Sequence, residues 1–190
     1  MNEAHLQILA SDEWAAHLAD ELLPWVESVT AIAGHVVEVG AGPGLTTDLL
    51  RARADRVTAI ELDPALAGAL AERLAGTNVD VRNVDAADTG LDGDRFTVAA
   101  CFSMLHHVPT AEHQDRIFAE LHRLLRPGGA LVAVDGLEDP DLRAFHEDDT
   151  FVPVDPDTLP ARLEAAGFVD VVVELDDPRH VRFHARKPSR

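Results

Sequence analysis

The chain is poor in the features that mark oxidising compartments and membranes. Its single cysteine, Cys101, excludes an intrachain disulfide, and its apolar neighbours favour a small buried residue over a nucleophile. No apolar run approaches the ~20 residues that a membrane-spanning helix needs. The N-terminus, Met-Asn-Glu-Ala-His, lacks a basic segment followed by an apolar run, so a secretory signal is not expected. We therefore expect a cytoplasmic protein without a membrane partner.

Basic residues are also scarce. The 16 Lys and Arg face 34 Asp and Glu, which gives a formal net charge of −18. Phosphate backbones are bound by clustered Lys and Arg, and the nearest approach to a cluster, Arg51, Arg53 and Arg56, falls at a predicted helix end. Nucleic acid is therefore not expected as a partner, and the acidity is that of a solvated surface.

Strand and helix patterns alternate along most of the chain. Its 190 residues, 46% of them hydrophobic, fit one folded domain. The alternation predicts a doubly wound α/β domain with a mostly parallel sheet and helices on both faces. The predicted elements are a helix over 12–29 with a kink at Pro24, strands over 35–39, 56–60, 79–83, 96–102 and 130–135, and helices over 45–54, 64–75 and 111–125.

The last part of the chain departs from this alternation. Asp155-Pro156 begins a predicted helix that stops at Gly167. Two strand-like runs, 168–175 and 181–186, follow with only a short link between them. A parallel crossover needs a dozen or more residues, so these two strands must be antiparallel. Segment 136–154 is acidic and irregular, and is predicted to be a lid or a loop.

The most informative stretch is 36–44, Val-Val-Glu-Val-Gly-Ala-Gly-Pro-Gly. An apolar run typical of a buried strand leads into glycines at alternate positions, and a helical pattern begins at Leu45. A strand, a glycine-rich turn and a helix N-terminus together let backbone come close to a nucleotide-like ligand. The third glycine follows the second by two residues, whereas the dinucleotide fingerprint G-x-G-x-x-G requires three. Glu38 would also repel a pyrophosphate and favour a cationic ligand.

This E-x-G-x-G-x-G pattern resembles the first motif of class I S-adenosylmethionine-dependent methyltransferases. In that family the acid, here Glu38, interacts with the amino acid end of the cofactor, and the glycines let the cofactor pass close to the backbone. A parallel sheet that ends in one antiparallel strand is similar to the seven-stranded, Rossmann-like fold of the family. The resemblance spans about 34–186 and implies one domain over 1–190, with a helical extension over 1–33, a cofactor-binding half over 34–135 and a substrate-side segment over 136–190.

Acidic residues follow the next two strands where such a cofactor would need them. Glu61 ends the second strand 17 residues beyond Gly44, where an acid can accept hydrogen bonds from both ribose hydroxyls. The resemblance implies that Asp85 reads the adenine amino group and that the backbone of Ala86 contacts a ring nitrogen; Asp88 is the competing acid. The full set of implied cofactor-binding residues is Glu38, Gly40, Ala41, Gly42, Gly44, Glu61, Leu62, Asp85, Ala86, Phe102 and Ser103.

A histidine pair follows the fourth strand. The run Leu105-His106-His107-Val108 is similar to one found in many small-molecule methyltransferases, which implies that one of the histidines lies near the methyl group. His106 and His107 are therefore the candidate catalytic residues, since histidine can take a proton near neutral pH. The alternative is that either histidine only packs or hydrogen-bonds locally.

No metal site is expected. Adjacent side chains such as His106 and His107 do not converge readily on one ion, and no H-E-x-x-H spacing is present. His113, His122 and His146 lack ligand spacing. Asp135, Asp139 and Asp141 offer oxygen ligands for magnesium, as in catechol-type members of the family, but the usual paired acid and amide pattern is missing.

The sequence thus predicts an S-adenosylmethionine-dependent methyltransferase that acts on a small-molecule acceptor by direct transfer, as a monomer or homodimer, with S-adenosylhomocysteine as the product. The alternatives are a nicotinamide-dependent oxidoreductase, which the glycine spacing and Glu38 oppose, and a non-catalytic cofactor-binding protein of the same fold. The N-terminal helix and segment 138–154 are predicted to close over the site and to choose the substrate.

Overall fold

The computed structural model describes residues 11–147 and 149–189 of the chain. The first ten residues of the predicted helical extension therefore lie outside the described residues. The strands are β1 (His35–Val39), β2 (Arg56–Ile60), β3 (Val79–Arg82), β4 (Phe96–Phe102), β5 (Leu125–Gly136), β6 (Val169–Asp177) and β7 (His180–Arg186). The α-helices are α1 (Asp12–His17), α2 (Leu23–Val29), α3 (Leu45–Arg51), α4 (Pro64–Arg73), α5 (Ala111–Leu124), α6 (Pro140–Phe145) and α7 (Leu159–Ala165), with a π-helical turn at Leu18–Leu22 and a 3₁₀ turn at Leu105–His107.

The strands form one seven-stranded sheet in the order β3-β2-β1-β4-β5-β7-β6. β1 to β5 pair in parallel, and β7 pairs antiparallel with both β5 and β6. The predicted fold class, a mostly parallel doubly wound sheet with one antiparallel strand near the C-terminus, is confirmed. The chain leaves β1 toward β2 on one side, and β4 lies on the other side, so the strand order reverses beside β1. Ligands of open α/β sheets bind at such a point, outside the carboxyl ends of the strands.

The start of β5 differs from its prediction. The strand predicted over 130–135 begins earlier, at Leu125, which pairs with Phe96. The register then shifts, and regular pairing resumes at Ala130 opposite Val98. Gly128 and Gly129 therefore lie in an irregularity inside the strand, as in a β-bulge.

Three helical regions also differ from the sequence pattern. A kink was predicted at Pro24; the structure instead has a π-helical stretch just before it, where the N–H of Leu23 donates to the carbonyl of Leu18, and Pro24 lies in the first turn of α2. α7 begins at Leu159 rather than near 156. Segment 136–154 holds the short helix α6, whose first turn is capped by Asp139, which accepts from the N–H groups of Asp141 at 2.9 Å and Leu142 at 3.1 Å.

Most apolar residues of the sheet lie buried between the sheet and its helices. Cys101 is buried in β4, and burial raises the pKa of its thiol well above the ordinary value, so it is an inert core residue as predicted. Among the helices of the described residues, none is both long and apolar enough to cross a membrane.

Candidate functional site

A cavity of about 450 Å³ opens beside β1, at the carboxyl ends of the parallel strands. Its wall contains most of the residues that the sequence assigned to a cofactor. Those that line it are Gly40, Ala41, Gly42, Glu61, Leu62, Asp85, Ala86, Phe102 and Ser103. Residues separated by up to 63 positions in the chain therefore meet in one place because parallel strands end at the same edge.

The glycine turn places backbone directly against the cavity. Gly42 has a φ of 53°, a left-handed conformation that favours glycine, and a Cβ built on it would meet nothing within 4 Å. The other two glycines serve packing instead. A Cβ would come within 2.5 Å of the Met104 side chain at Gly40, and within 2.3 Å of Leu70 at Gly44. Gly42 is thus the position at which the turn leaves room for a ligand.

Glu61 links the ends of β1 and β2. Its carboxylate accepts hydrogen bonds from the backbone N–H groups of Gly42 at 2.8 Å and Asp63 at 2.9 Å. The side chain is 8% exposed yet forms part of the cavity wall. Asp63 uses its own carboxylate to cap α4, accepting from Ala65 and Leu66. The carboxylate of Glu61 is therefore held rigidly at the cavity and is not needed as a helix cap.

Glu38 lies behind the glycine turn rather than on the cavity wall. Its buried carboxylate accepts hydrogen bonds from the hydroxyls of Thr46 and of Thr47, in the first turn of α3. Burial raises the pKa of Glu38 to about 7, against the opposing effect of these two hydrogen bonds. Thr46 lies on the cavity wall, and the sequence analysis did not single it out. The direct contact of Glu38 with a cofactor stays a prediction.

Asp85 and its competitor Asp88 occupy different surroundings. Asp85 lines the cavity, and its carboxylate accepts from the N–H of Ala87 at 2.8 Å and contacts His113 Nε2 at 3.1 Å. Burial raises the pKa of Asp85, but these hydrogen bonds outweigh it and bring the pKa below its ordinary value. Asp88 is not part of the described cavity wall. His113, from the first turn of α5, is a wall residue whose spacing in the sequence gave no sign of this contact.

The two candidate catalytic histidines, which both follow β4, have different surroundings. His107 lines the cavity, whereas His106 is 6% exposed and lies behind the wall. The Nδ1 atom of His106 is 2.6 Å from Asp135 Oδ1. The same buried carboxylate accepts from the N–H groups of Met104 at 3.1 Å and Leu105 at 2.8 Å, so the end of β5 fixes the turn after β4.

His146 joins the histidine pair. Its ring centroid lies 4.9 Å from that of His106 and 5.1 Å from that of His107, and it stacks on Phe151 at 4.4 Å. One ring nitrogen from each of the three histidines lies within 4.8 Å of the others. His146 comes from a separate segment, and the spacing of the histidines in the sequence did not indicate this approach.

The acids considered for magnesium have other roles. The carboxylate of Asp135 accepts hydrogen bonds from the N–H groups of Met104 and Leu105 and contacts His106. Asp139 caps α6, and Asp141 pairs with Arg179 at 2.7 Å. The three carboxylates are therefore accounted for by structural contacts.

The N-terminal helices and the C-terminal strands complete the wall. Trp14, His17, Leu18 and Leu22 line it from the helical extension. Arg182 of β7 is the only Lys or Arg among the described wall residues, and it pairs with Asp176 at 2.7 Å. The amphipathic pattern of 12–29 revealed a packed face, but not that this face borders a cavity.

Segment 138–154 is attached to the same region. The N–H of Val152 donates to the carbonyl of His106 at 2.7 Å, and the amide of Gln114 donates to the carbonyl of Val152 at 2.8 Å. Asp149 and Thr150 line the cavity. The segment thus forms part of the wall in this conformation.

Comparison with known proteins adds three findings. A family profile described as "Methyltransferase domain" matches residues 37–133, about half of the chain. The ubiquinone biosynthesis O-methyltransferase of Azotobacter vinelandii is 36% identical over 110 residues, which cover 55% of this chain and 46% of that protein. The chain thus spans about half the length of the curated relatives it matches.

Solved structures share the fold. A protein from Pyrococcus horikoshii OT3 superposes with a TM-score of 0.83 at 13% identity, covering 98% of this chain and all of that one. The Haemonchus contortus phosphoethanolamine N-methyltransferase 2, in complex with S-adenosyl-L-methionine, gives a TM-score of 0.76 at 13% identity, covering 96% of this chain and 59% of that one.

Proposed function

Because the chain belongs to the class I S-adenosylmethionine-dependent methyltransferase family, we propose that it binds S-adenosylmethionine in this cavity and transfers the methyl group to a small molecule. The observation that carries the proposal is the pairing of Gly42 with Glu61. Gly42 leaves open space where a side chain would stand, and the carboxylate of Glu61 is fixed beside it at 2.8 Å. A ligand that needs close backbone approach and a hydrogen-bond acceptor fits there.

The cofactor would lie along the carboxyl ends of β1, β2 and β4. In this arrangement Glu61 accepts the ribose hydroxyls, and Asp85 with the backbone of Ala86 reads the adenine. Leu62, which is 68% exposed, would cover one face of the cofactor with apolar surface. The amino acid end would lie over the turn from Gly40 to Gly44, above Thr46 and the buried Glu38.

The charge of the wall supports a cationic cofactor. Glu61, Asp63 and Asp85 all stand on the side of β2 and β3, and the described wall contains no Lys or Arg there. Negative charge on the wall attracts a cofactor of positive net charge, and it repels a pyrophosphate. The same reasoning opposes a nicotinamide dinucleotide.

The acceptor would bind on the opposite side, between the helical extension and the end of β4. Trp14, Phe102 and Val134 give this side an apolar character, and the enclosed volume suits a small molecule rather than a polymer. The helical extension and Thr150 would then select the acceptor. The names of the curated relatives favour oxygen as the accepting atom.

Methyl transfer asks mainly for alignment and exclusion of water, since the sulfonium is already a strong electrophile. Of the two candidate catalytic histidines, we propose that His107 acts at the acceptor, because it lines the cavity. His106, bonded to Asp135 behind the wall, would position the turn that carries His107.

Two measurements test this function. Calorimetry with S-adenosylmethionine and S-adenosylhomocysteine, in a metal chelator, should give one binding site for each ligand. An acceptor screen that follows S-adenosylhomocysteine release should then find turnover, with His107→Ala losing more activity than cofactor affinity. No heat above dilution at millimolar ligand contradicts the cofactor assignment. Cofactor binding without turnover across a broad screen favours the non-catalytic alternative.

A further inference from the structure

Three histidines from two separate segments meet at the wall of the cavity. His106 and His107 come from the 3₁₀ turn after β4, and His146 follows α6 about 40 positions later. His106 and His146 are largely buried, and His107 lines the cavity. One imidazole nitrogen from each lies within 4.8 Å of the other two.

Two of the three imidazoles, those of His106 and His146, have an oxygen acceptor on the Nδ1 side. His106 Nδ1 is 2.6 Å from Asp135 Oδ1, and His146 Nδ1 is 2.5 Å from the carbonyl oxygen of Leu142. In these two histidines, an oxygen that accepts from Nδ1–H fixes the tautomer in which Nε2 is the ligating atom. Histidines that bind metal ions usually have this second partner.

We propose that His106, His107 and His146 bind one divalent transition metal ion of the zinc type at the wall of the cavity. Three neutral imidazoles suit such an ion, whereas magnesium and calcium prefer oxygen ligands. Three protein ligands with one remaining position is the arrangement of catalytic rather than structural zinc sites.

Ligation requires a small adjustment of the side chains. Tetrahedral zinc with bonds of about 2.0–2.1 Å places its nitrogen ligands roughly 3.3 Å apart. The widest pair here, at up to 4.8 Å, must therefore close by about 1.5 Å, mainly by rotation of the His107 ring. The anchored Nδ1 atoms of His106 and His146 limit how the rings turn.

The site would serve the acceptor side of the reaction. Because His107 borders the cavity, the fourth position of the ion is within reach of an acceptor oxygen. This role rests on the proposed methyl transfer, whereas binding of the ion does not. The competing explanation is a purely structural aromatic cluster, in which His146 stacks on Phe151 and the rings only fill space.

Titration with Co²⁺ separates the two explanations. The tag-free protein is stripped with a chelator, dialysed and titrated with Co²⁺, and Zn²⁺ is then added in competition. We expect one equivalent of Co²⁺ to give the intense visible absorption of a tetrahedral site, and Zn²⁺ to remove it. His146→Phe keeps a ring that can stack on Phe151 but removes one ligand, and should weaken binding by more than the roughly 10–100-fold that loss of a hydrogen-bond partner of a ligand costs.

The matched control is His122→Phe. His122 is another partly buried histidine packed edge-on against a phenylalanine, Phe168, away from the three histidines. The His122→Phe variant should bind Co²⁺ as the unaltered protein does. Absence of the visible absorption in the unaltered protein, or equal Co²⁺ affinity in His146→Phe, overturns the proposal. Calorimetry of S-adenosylmethionine in chelator tests the proposed function independently, because the three histidines are not among the cofactor contacts.

Discussion

The backbone N–H of Gly42 donates to the Glu61 carboxylate at 2.8 Å, so the residue after β2 fixes the turn after β1. Two sequence signals 19 positions apart are therefore parts of one structure. The second oxygen of Glu61 accepts from Asp63 at 2.9 Å, which holds the carboxylate in one orientation. Such a fixed acceptor loses little entropy when a ligand hydroxyl arrives.

Replacement of Glu61 by alanine should weaken S-adenosylmethionine binding by more than tenfold. The change removes a carboxylate whose hydrogen bonds to ligand hydroxyls are each worth roughly 1.5–3 kcal/mol. It also releases the N–H of Gly42 from its partner. Calorimetry measures the affinity, and circular dichroism checks the fold. Glu72→Ala, on the exposed side of α4, is the matched control and should bind normally. Unchanged affinity in folded Glu61→Ala would show that this residue only ends a strand.

Replacement of Gly42 by valine should abolish cofactor binding. The valine side chain would fill the open space beside the turn, and a φ of 53° also strains a β-branched residue. Gly76→Val separates these two effects, because Gly76 has a φ of 79° and equally open surroundings but lies outside the described cavity wall. Both variants should lose stability, and only Gly42→Val should lose binding. Equal binding in the two variants would place the ligand elsewhere.

The parts of the site that the sequence could predict are those encoded by one strand end and the turn after it. The glycines after β1, Glu61 after β2 and Asp85 after β3 each carry a local pattern, and the parallel sheet brings them together. The close link between 168–175 and 181–186 likewise fixed the antiparallel pairing of β6 and β7, because connection length limits strand direction.

The parts that the sequence could not predict depend on contacts between distant segments. Asp135, nearly 30 positions away, holds His106 behind the wall by a hydrogen bond, and His107 then faces the cavity. The approach of His146 depends on α6, a six-residue helix too short to show a clear period. The hydrogen bonds of Glu38 with Thr46 and Thr47 likewise depend on where α3 begins. Direct contact of Glu38 with a cofactor stays a prediction.

Glu38 should make the stability of the ligand-free protein depend on pH. Its pKa is about 7 in the folded protein against an ordinary value of 4.5, because burial disfavours the charged form. Between these values the folded protein keeps a proton that the unfolded chain releases, so this group lowers stability as pH rises and has no further effect above about pH 8. A pKa shift of this size corresponds to roughly 3 kcal/mol in the free energy of unfolding.

The variant Glu38→Gln isolates this effect. Glutamine stays neutral, so the difference in unfolding free energy between Glu38→Gln and the unaltered protein should shift in favour of the variant as pH rises from 5 to 8. Urea denaturation at pH 5, 6, 7 and 8 measures this difference. Glu72→Gln, an exposed position, should show no such trend. A pH-independent difference for Glu38→Gln means that Glu38 is already ionised at pH 5 in the folded protein.

Replacement of Asp135 by asparagine should destabilise the protein by about 3 kcal/mol. The carboxylate is fully buried and accepts from Leu105 at 2.8 Å, from the N–H of Gly136 at 2.9 Å and from His106 Nδ1 at 2.6 Å. An asparagine offers one oxygen, and its NH₂ group would face donors that then lack an acceptor. Each buried hydrogen bond to a charged group contributes roughly 1.5–3 kcal/mol, so the loss of one or two gives this magnitude.

Asp139→Asn is the matched control for this prediction. It makes the same chemical change at a helix N-cap, where asparagine is as good as aspartate, so its stability should change by only a few tenths of a kcal/mol. Urea denaturation of both variants at one pH gives the comparison. If Asp135→Asn is no less stable than Asp139→Asn, the turn after β4 holds its shape without the carboxylate. The position of His107 on the cavity wall would then follow from the packing of Leu105 and Val108 rather than from the bond between strand ends.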